Sequence, residues 1–267
     1  MSTTQRTTNK PHIKVAVHKA IYRWAQPLVA GKVALDAGCG TAYGTDILAE
    51  VAERVVGVDI DQAEIEKASE IGSRKNVEFR VMDCEALDFP PNSFDVVFSN
   101  ALMEYLTDYK AFLIGARRVL KPGGLCMCST KNYDLSFKKL DGSPLYEGHI
   151  QEFNAARLRA ALEQGFTNVR IYSEQMRPRV QAYMMNGRAM IIEHLLVKLN
   201  VKHRIPLTLR NYVRRLITGV SADEIAPEDF EIVLGEFSDC WYVIGCGSNP
   251  TLTVSNLLSA DPDRSFS

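Results

Sequence analysis

Apolar positions along this chain follow two spacings in turn. Between residues 11 and 28, Val17, Ile21, Trp24 and Leu28 fall at i, i+4, i+7 and i+11, which predicts a helix with one apolar stripe. Beyond it come short apolar-rich segments, at residues 32–35, 54–59, 77–82, 95–99 and 125–130, each of strand length. Helix-forming stretches separate several of them, at 43–52, from about Asp61, and at 109–120. Later the same signals predict a helix over 154–164, a strand over 167–175 and a last strand over 240–246. Strands alternating with helices predict βαβ units and a doubly wound α/β fold, its parallel sheet covered on both faces.

One stretch draws the chemistry together: Val33-Ala-Leu-Asp-Ala-Gly-Cys-Gly-Thr-Ala-Tyr-Gly44. A strand ends in Asp36, breaks into a loop with Gly38, Gly40 and Gly44, and opens a helix. Such a turn brings bare backbone N–H groups to a ligand in the crevice at the carboxyl ends of the strands. The spacing is not the G-x-G-x-x-G of a dinucleotide site. Asp36, two residues before the first glycine, repels a pyrophosphate and suits a ligand carrying an ammonium or sulfonium. Asp59 ends the next strand, where a carboxylate either accepts hydrogen bonds from a ribose diol or caps the following helix. Asp83-Cys84 follows the third strand and by itself is a turn signal.

Together these residues resemble the class I S-adenosylmethionine-dependent methyltransferases, whose first motif is written D-x-G-x-G-x-G. The resemblance covers about residues 30 to 175. It extends to Arg118-Val-Leu-Lys-Pro-Gly-Gly124, read physically as a helix stop and a turn before an apolar strand. It implies S-adenosylmethionine as cofactor, with Asp36, Gly38, Gly40, Asp59, Ile60, Asp83, Cys84 and Asn100 binding it. Ala42 departs from the family by standing where a third glycine is usual, and the expectation is a tighter loop, since alanine resists positive φ. Asn100-Ala-Leu-Met is not N-P-P-Y, which argues against nucleobase or glutamine amides as acceptors. The helix ahead of the motif and Gly148-His-Ile-Gln-Glu-Phe153 resemble the branch acting on small molecules and sugars. The fold implied is a Rossmann-like sheet of seven strands with the last antiparallel. Its parts would be a lid helix at 1–29, a cofactor-binding core at 30–176, a mostly helical insertion at 177–236, the last core strand at 237–247 and a disordered tail at 248–267.

Composition narrows the partners. The 267 residues carry a formal net charge of −1, so no general attraction to nucleic acid is expected. No apolar run reaches the roughly 20 residues that span a bilayer, and residues 1–10 hold no apolar signal core, so a cytoplasmic location is expected. The six cysteines form no C-x-x-C and read as reduced, buried thiols without a metal. Between Arg177 and Arg215 nine Lys or Arg face a single acid, Glu193. That run is a solvated face, a cap drawing a phosphorylated small-molecule acceptor, or, through residues 190–199, a membrane-surface contact.

Methyl transfer from a sulfonium is an in-line displacement, and a hydroxyl acceptor must also lose a proton. His149, after a Gly/Ser/Pro/Asp-rich loop, is the candidate base; the plainer alternative is a loop anchor. His18, Tyr22, Glu104 and Tyr105 are candidates for the acceptor side. For His18 and Tyr22, placement as amphipathic residues at a domain surface is the bland alternative. The expected function is O-methylation of a sugar or natural-product hydroxyl. An N-methyltransferase for an amino sugar or amine and a catalytically silent cofactor-binding scaffold stand as alternatives.

Overall fold

A computed structural model describes residues 12–71, 74–135, 148–185, 206–220, 224–235, 240 and 242–250. The helical stripe folds as α1 (His12–Val29), and the run after it as β1 (Val33–Ala37). The chain continues as α2 (Tyr43–Ala49), β2 (Arg54–Asp59), α3 (Gln62–Ile71), β3 (Val77–Val81), β4 (Phe94–Asn100), α4 (Tyr109–Val119) and β5 (Leu120–Lys131). Then follow α5 (Ala155–Glu163), β6 (Thr167–Met176), α6 (Pro178–Met185), α7 (Leu207–Thr218), β7 (Phe230–Leu234) and β8 (Tyr242–Ser248).

The strands form one sheet in the order β3-β2-β1-β4-β5-β8-β6-β7. The first five neighbours are parallel, whereas β8 runs antiparallel to both β5 and β6. Successive residues of each central strand serve opposite faces, as the pleat requires. Leu35, Val56 and Val97 join α4 and α5 in one core. Ala34, Val55, Val96 and Phe98 join α1 and α2 in the other. Both faces are covered, so the central strands read as unbroken apolar runs. Chain order reverses between β1 and β4, and the crevice at that switch point opens at their carboxyl ends.

Eight strands replace the expected seven, because the segment 177–236 is not wholly helical among its described residues. Phe230-Glu-Ile-Val-Leu234 pairs antiparallel with β6 and occupies what would otherwise be an open sheet edge. Residues 190–199 and the tail from 251 on lie outside the described residues.

Lys121-Pro-Gly-Gly124 is also not a turn ahead of the strand. β5 already starts at Leu120, and a register shift opposite Phe94–Val96 absorbs the four residues. A Cβ on Gly124 would stand 2.9 Å from the Asp95 and Lys121 carbonyl oxygens, so only glycine fits the bulge. Arg118 donates to the Leu87 and Phe89 carbonyls, holding the loop ahead of β4 against α4.

Candidate active site

The glycine loop is pinned from below by β2. The amides of Gly38 and Cys39 both donate to the Val58 carbonyl, at 2.8 and 2.9 Å, and the Gly40 amide donates to Asp59 Oδ2 at 2.9 Å. Gly38 (φ +74°) and Gly40 (φ +53°) sit in the left-handed region. A Cβ on Gly38 would lie 2.8 Å from the Leu102 side chain, whereas one on Gly40 would meet nothing within 4 Å, so the loop faces open space there. Ala42 adopts φ +64° all the same, against the expectation that alanine would avoid it.

Asp36 is fully buried at the end of β1. Tyr22 Oη donates to its Oδ1 at 3.0 Å and Thr45 Oγ1 to its Oδ2 at 2.6 Å. Burial raises its carboxyl from 3.8 to about 6, partly countered by the Thr45 and Tyr22 hydrogen bonds. Asp36 therefore exposes no surface of its own, and both of its oxygens already accept a hydroxyl. Tyr22 itself is buried, with its ring on Gly44, where an added Cβ would stand 2.1 Å from the ring. Its hydroxyl is held well above its ordinary pKa by burial and by Asp36.

Neither Tyr22 nor His18 lies at a domain surface. His18 is buried between two phenols, with Nδ1 2.8 Å from Tyr43 Oη and Nε2 2.9 Å from Tyr242 Oη. Local spacing places His18 one turn from Tyr22; Tyr242, 224 residues away, carries no local signal.

Asp59 accepts the Gly40 and Asp61 amides on separate oxygens, leaving each oxygen a further lone pair. The two roles weighed for it, capping and diol binding, are thus compatible. Beside it Ile60 is 68% exposed, an apolar side chain in solvent next to a carboxylate. Asp83 is exposed and caps the short turn Cys84–Ala86 through the Glu85 amide, while the Cys84 thiol is buried and pushed up to about 12. Asn100 is buried at the end of β4, where its Oδ1 accepts from Ser129 Oγ. Open space at Gly40, carboxylates at the ends of β2 and β3 and an exposed apolar side chain between them fit a nucleoside whose diol and base need those partners.

Across the crevice, the turn Met103–Tyr105 brings Glu104 and Tyr105 to the segment carrying His149. The Glu104 carbonyl accepts the Ile150 and Gln151 amides at 2.8 and 3.2 Å, and the His149 ring packs edge-on to Tyr105 at 4.9 Å. Glu104 is buried, with Oε2 accepting from Thr130 Oγ1 at 3.0 Å, and burial raises its carboxyl. His149 is half-buried; desolvation, with Lys131 and Lys14 close by, lowers its imidazole to about 4. Lys131, at the end of β5, falls to about 7 by burial and by the charge of Lys14, against the opposing pull of Glu104 and Glu152. Sequence reasoning passed over both lysines. A cation directly after the apolar run 125–130 was the available signal.

All six cysteines are free thiols, five of them buried. Among the described residues no helix is long and apolar enough to cross a membrane.

Residues 35–128 match the methyltransferase domain family. A probable S-adenosylmethionine-dependent methyltransferase of Mycolicibacterium smegmatis is 37% identical over 147 residues, which are 55% of this chain and 56% of that protein. A ubiquinone biosynthesis O-methyltransferase of Pseudomonas fluorescens is 35% identical over 107 residues, 39% of this chain and 46% of that one. The chain thus spans about half the length of these relatives. Among solved structures, phosphoethanolamine N-methyltransferase 2 of Haemonchus contortus, in complex with S-adenosyl-L-methionine, superposes with a TM-score of 0.59 at 20% identity. That match covers 88% of this chain and 52% of the other, and shows a shared fold.

Proposed function

We propose that this chain, whose residues 35–128 form a class I S-adenosylmethionine-dependent methyltransferase domain, methylates a small-molecule hydroxyl, most simply that of a sugar or natural product. The observation that carries the cofactor assignment is the pinned loop. Gly38 and Gly40 are held at positive φ by the end of β2, open on one side and backed by buried Asp36. Bound there, S-adenosylmethionine supplies a sulfonium methyl as electrophile. Asp59 accepts from the ribose diol, Ile60 covers the base, and Asp83 and the Cys84 backbone meet its polar edge. Asp36 favours the cation from behind Tyr22.

The acceptor enters from the side of Tyr105 and His149. These residues supply position: a nucleophile held in line gains up to about 7–11 kcal/mol over free encounter. His149 is the base for a hydroxyl. Its lowered pKa leaves the ring neutral at pH 7 and able to take a proton, at the cost of a small driving force. A specific observation favours a second acceptor. The desolvation that, with the charges of Lys131 and Lys14, depresses His149 would equally keep an acceptor amine neutral, as N-methylation requires. The relatives include an O-methyltransferase, and the solved neighbours an N-methyltransferase.

The deciding experiment measures S-adenosylhomocysteine release against neutral sugars and phenols on one hand and amino sugars and amines on the other. Turnover of hydroxyl acceptors that His149→Ala abolishes supports O-methylation. Turnover of amines alone, indifferent to that substitution, moves the reaction to nitrogen. Binding of S-adenosylhomocysteine with no turnover of either set would favour a cofactor-binding scaffold.

A further inference from the structure

Helix α7 turns an apolar stripe outward. Leu209, Tyr212, Val213 and Leu216 fall at i, i+3, i+4 and i+7 and so line one face, and each is between 36% and 69% exposed. A helix on the surface of a globular protein ordinarily turns such a stripe to the core. Single apolar residues scattered over a surface need no explanation, but four in one stripe mark a contact surface. Sheet topology gives its position. β8 runs antiparallel to both β5 and β6, so β6 is parallel to β5 and ends, at Met176, on the same rim as the crevice. α6 begins there at Pro178, with Val180 and Tyr183 buried in the core that also holds Tyr242, and α7 packs against α6.

The composition of α7 says what meets that stripe. Its 12 residues include Arg210, Arg214 and Arg215 and no acid. Arg215 pairs with Glu224 at 3.0 Å, and its side chain stays mostly exposed. An apolar protein groove would match the stripe but not the arginines, and a nucleic acid would match the arginines but not the stripe. A bilayer with anionic headgroups matches both. Leucine and valine side chains enter the acyl boundary, arginines meet lipid phosphates, and Tyr212, with an apolar ring and a polar tip, suits the level between them. We propose that α7 lies in the headgroup layer of an anionic membrane, apolar stripe inward, and holds this rim of the sheet against lipid. The contact is on α7, in addition to any at residues 190–199, and it does not depend on which acceptor the crevice methylates.

The test measures co-sedimentation of the full chain with vesicles of equimolar phosphatidylglycerol and phosphatidylcholine, and with vesicles of phosphatidylcholine alone. Wild type should bind the anionic vesicles about tenfold more tightly than the neutral ones and lose most of that preference at high salt. Leu209→Gln combined with Leu216→Gln removes the apolar anchor without changing charge, and should weaken binding about 10- to 100-fold. Both side chains are exposed, so S-adenosylhomocysteine affinity and the thermal unfolding midpoint should stay as in wild type. Leu216→Trp keeps the stripe apolar, and its added tryptophan emission should move to the blue on anionic vesicles. No binding to anionic vesicles, equal binding to both compositions, wild-type binding by the double variant, or an unmoved Leu216→Trp emission each overturns the proposal. A wild-type dimer that the double variant dissolves, with no vesicle binding, also overturns it and assigns the stripe to a second copy of this chain. Failure of wild type to bind S-adenosylhomocysteine would instead remove the methyltransferase reading and leave the membrane contact standing.

Discussion

Replacing Asp36 by asparagine tests whether the carboxylate is held ionised at a cost to stability. Asp36 has no exposed surface, and burial raises its pKa from 3.8 to about 6 in the folded chain. An acid with a raised folded pKa contributes most stability below its unfolded value. That contribution fades as pH climbs to the folded value and is gone above it. A shift of about two pKa units corresponds to about 3 kcal/mol, lost between pH 4 and pH 6. Asparagine is nearly isosteric, keeps an oxygen for the Thr45 hydroxyl, presents an amide to Tyr22 Oη, and does not titrate. Urea unfolding of wild type and Asp36→Asn, followed by circular dichroism from pH 4 to pH 8, measures the difference directly. The variant's stability relative to wild type should rise by about 3 kcal/mol between pH 4 and pH 7 and then level off. The offset at pH 4 reports only the exchanged hydrogen bonds. A difference that does not vary with pH would show that Asp36 is not the buried ionised group described above.

Three further outcomes follow from the same geometry. Asp59→Ala removes the acceptor for the Gly40 amide and for the ribose diol, and should weaken S-adenosylhomocysteine binding in calorimetry by about 1–3 kcal/mol; unchanged affinity ends the ribose assignment. His149→Ala should lower kcat by about 10²–10⁴ on a hydroxyl acceptor without changing cofactor affinity. With that imidazole at about 4, it contributes no fall in wild-type kcat between pH 8 and pH 5.5, and a limb near pH 6.5 that the substitution removes would mean an unshifted, solvated ring. Gly44→Ala drives a methyl group into the Tyr22 ring, so thermal unfolding should reveal a loss of about 1–3 kcal/mol; wild-type stability would refute the ring-on-backbone contact.

What could be read from the sequence was local. The strand ends Asp36, Asp59 and Asp83 and the glycines between them belong to runs of a dozen residues or fewer, where spacing alone fixes what backbone can form. The contacts around His18 and Lys131 are long-range. His18 reaches Tyr43 and Tyr242 across 25 and 224 positions, and Lys14 acts on Lys131 from another element. No periodicity records those distances, so a surface placement stayed open for His18 and Tyr22 although both are buried. β7 escaped for a different reason: five residues at a sheet edge, only Phe230 among them buried, carry too weak an alternation beside the basic, helix-like stretch before them.

Ala42 shows how a non-local constraint can override a local rule. A left-handed alanine costs about 1–2 kcal/mol, so its sequence position predicted a loop that avoids positive φ. Yet φ is +64°, the methyl group is buried, and the Ala42 carbonyl accepts the Asp46 amide at 2.9 Å as α2 begins. The three residues Gly38, Cys39 and Gly40 ahead of the bend have little freedom to relieve the strain, because the Gly38 and Cys39 amides are fixed on Val58 and the Gly40 amide on Asp59. The end of β2 therefore sets the path of the loop, and burial of the methyl group returns part of the strain, about 0.8 kcal/mol for a group of that size. The third glycine is thus a convenience of the motif, while the anchoring of its first two to β2 gives the loop its shape.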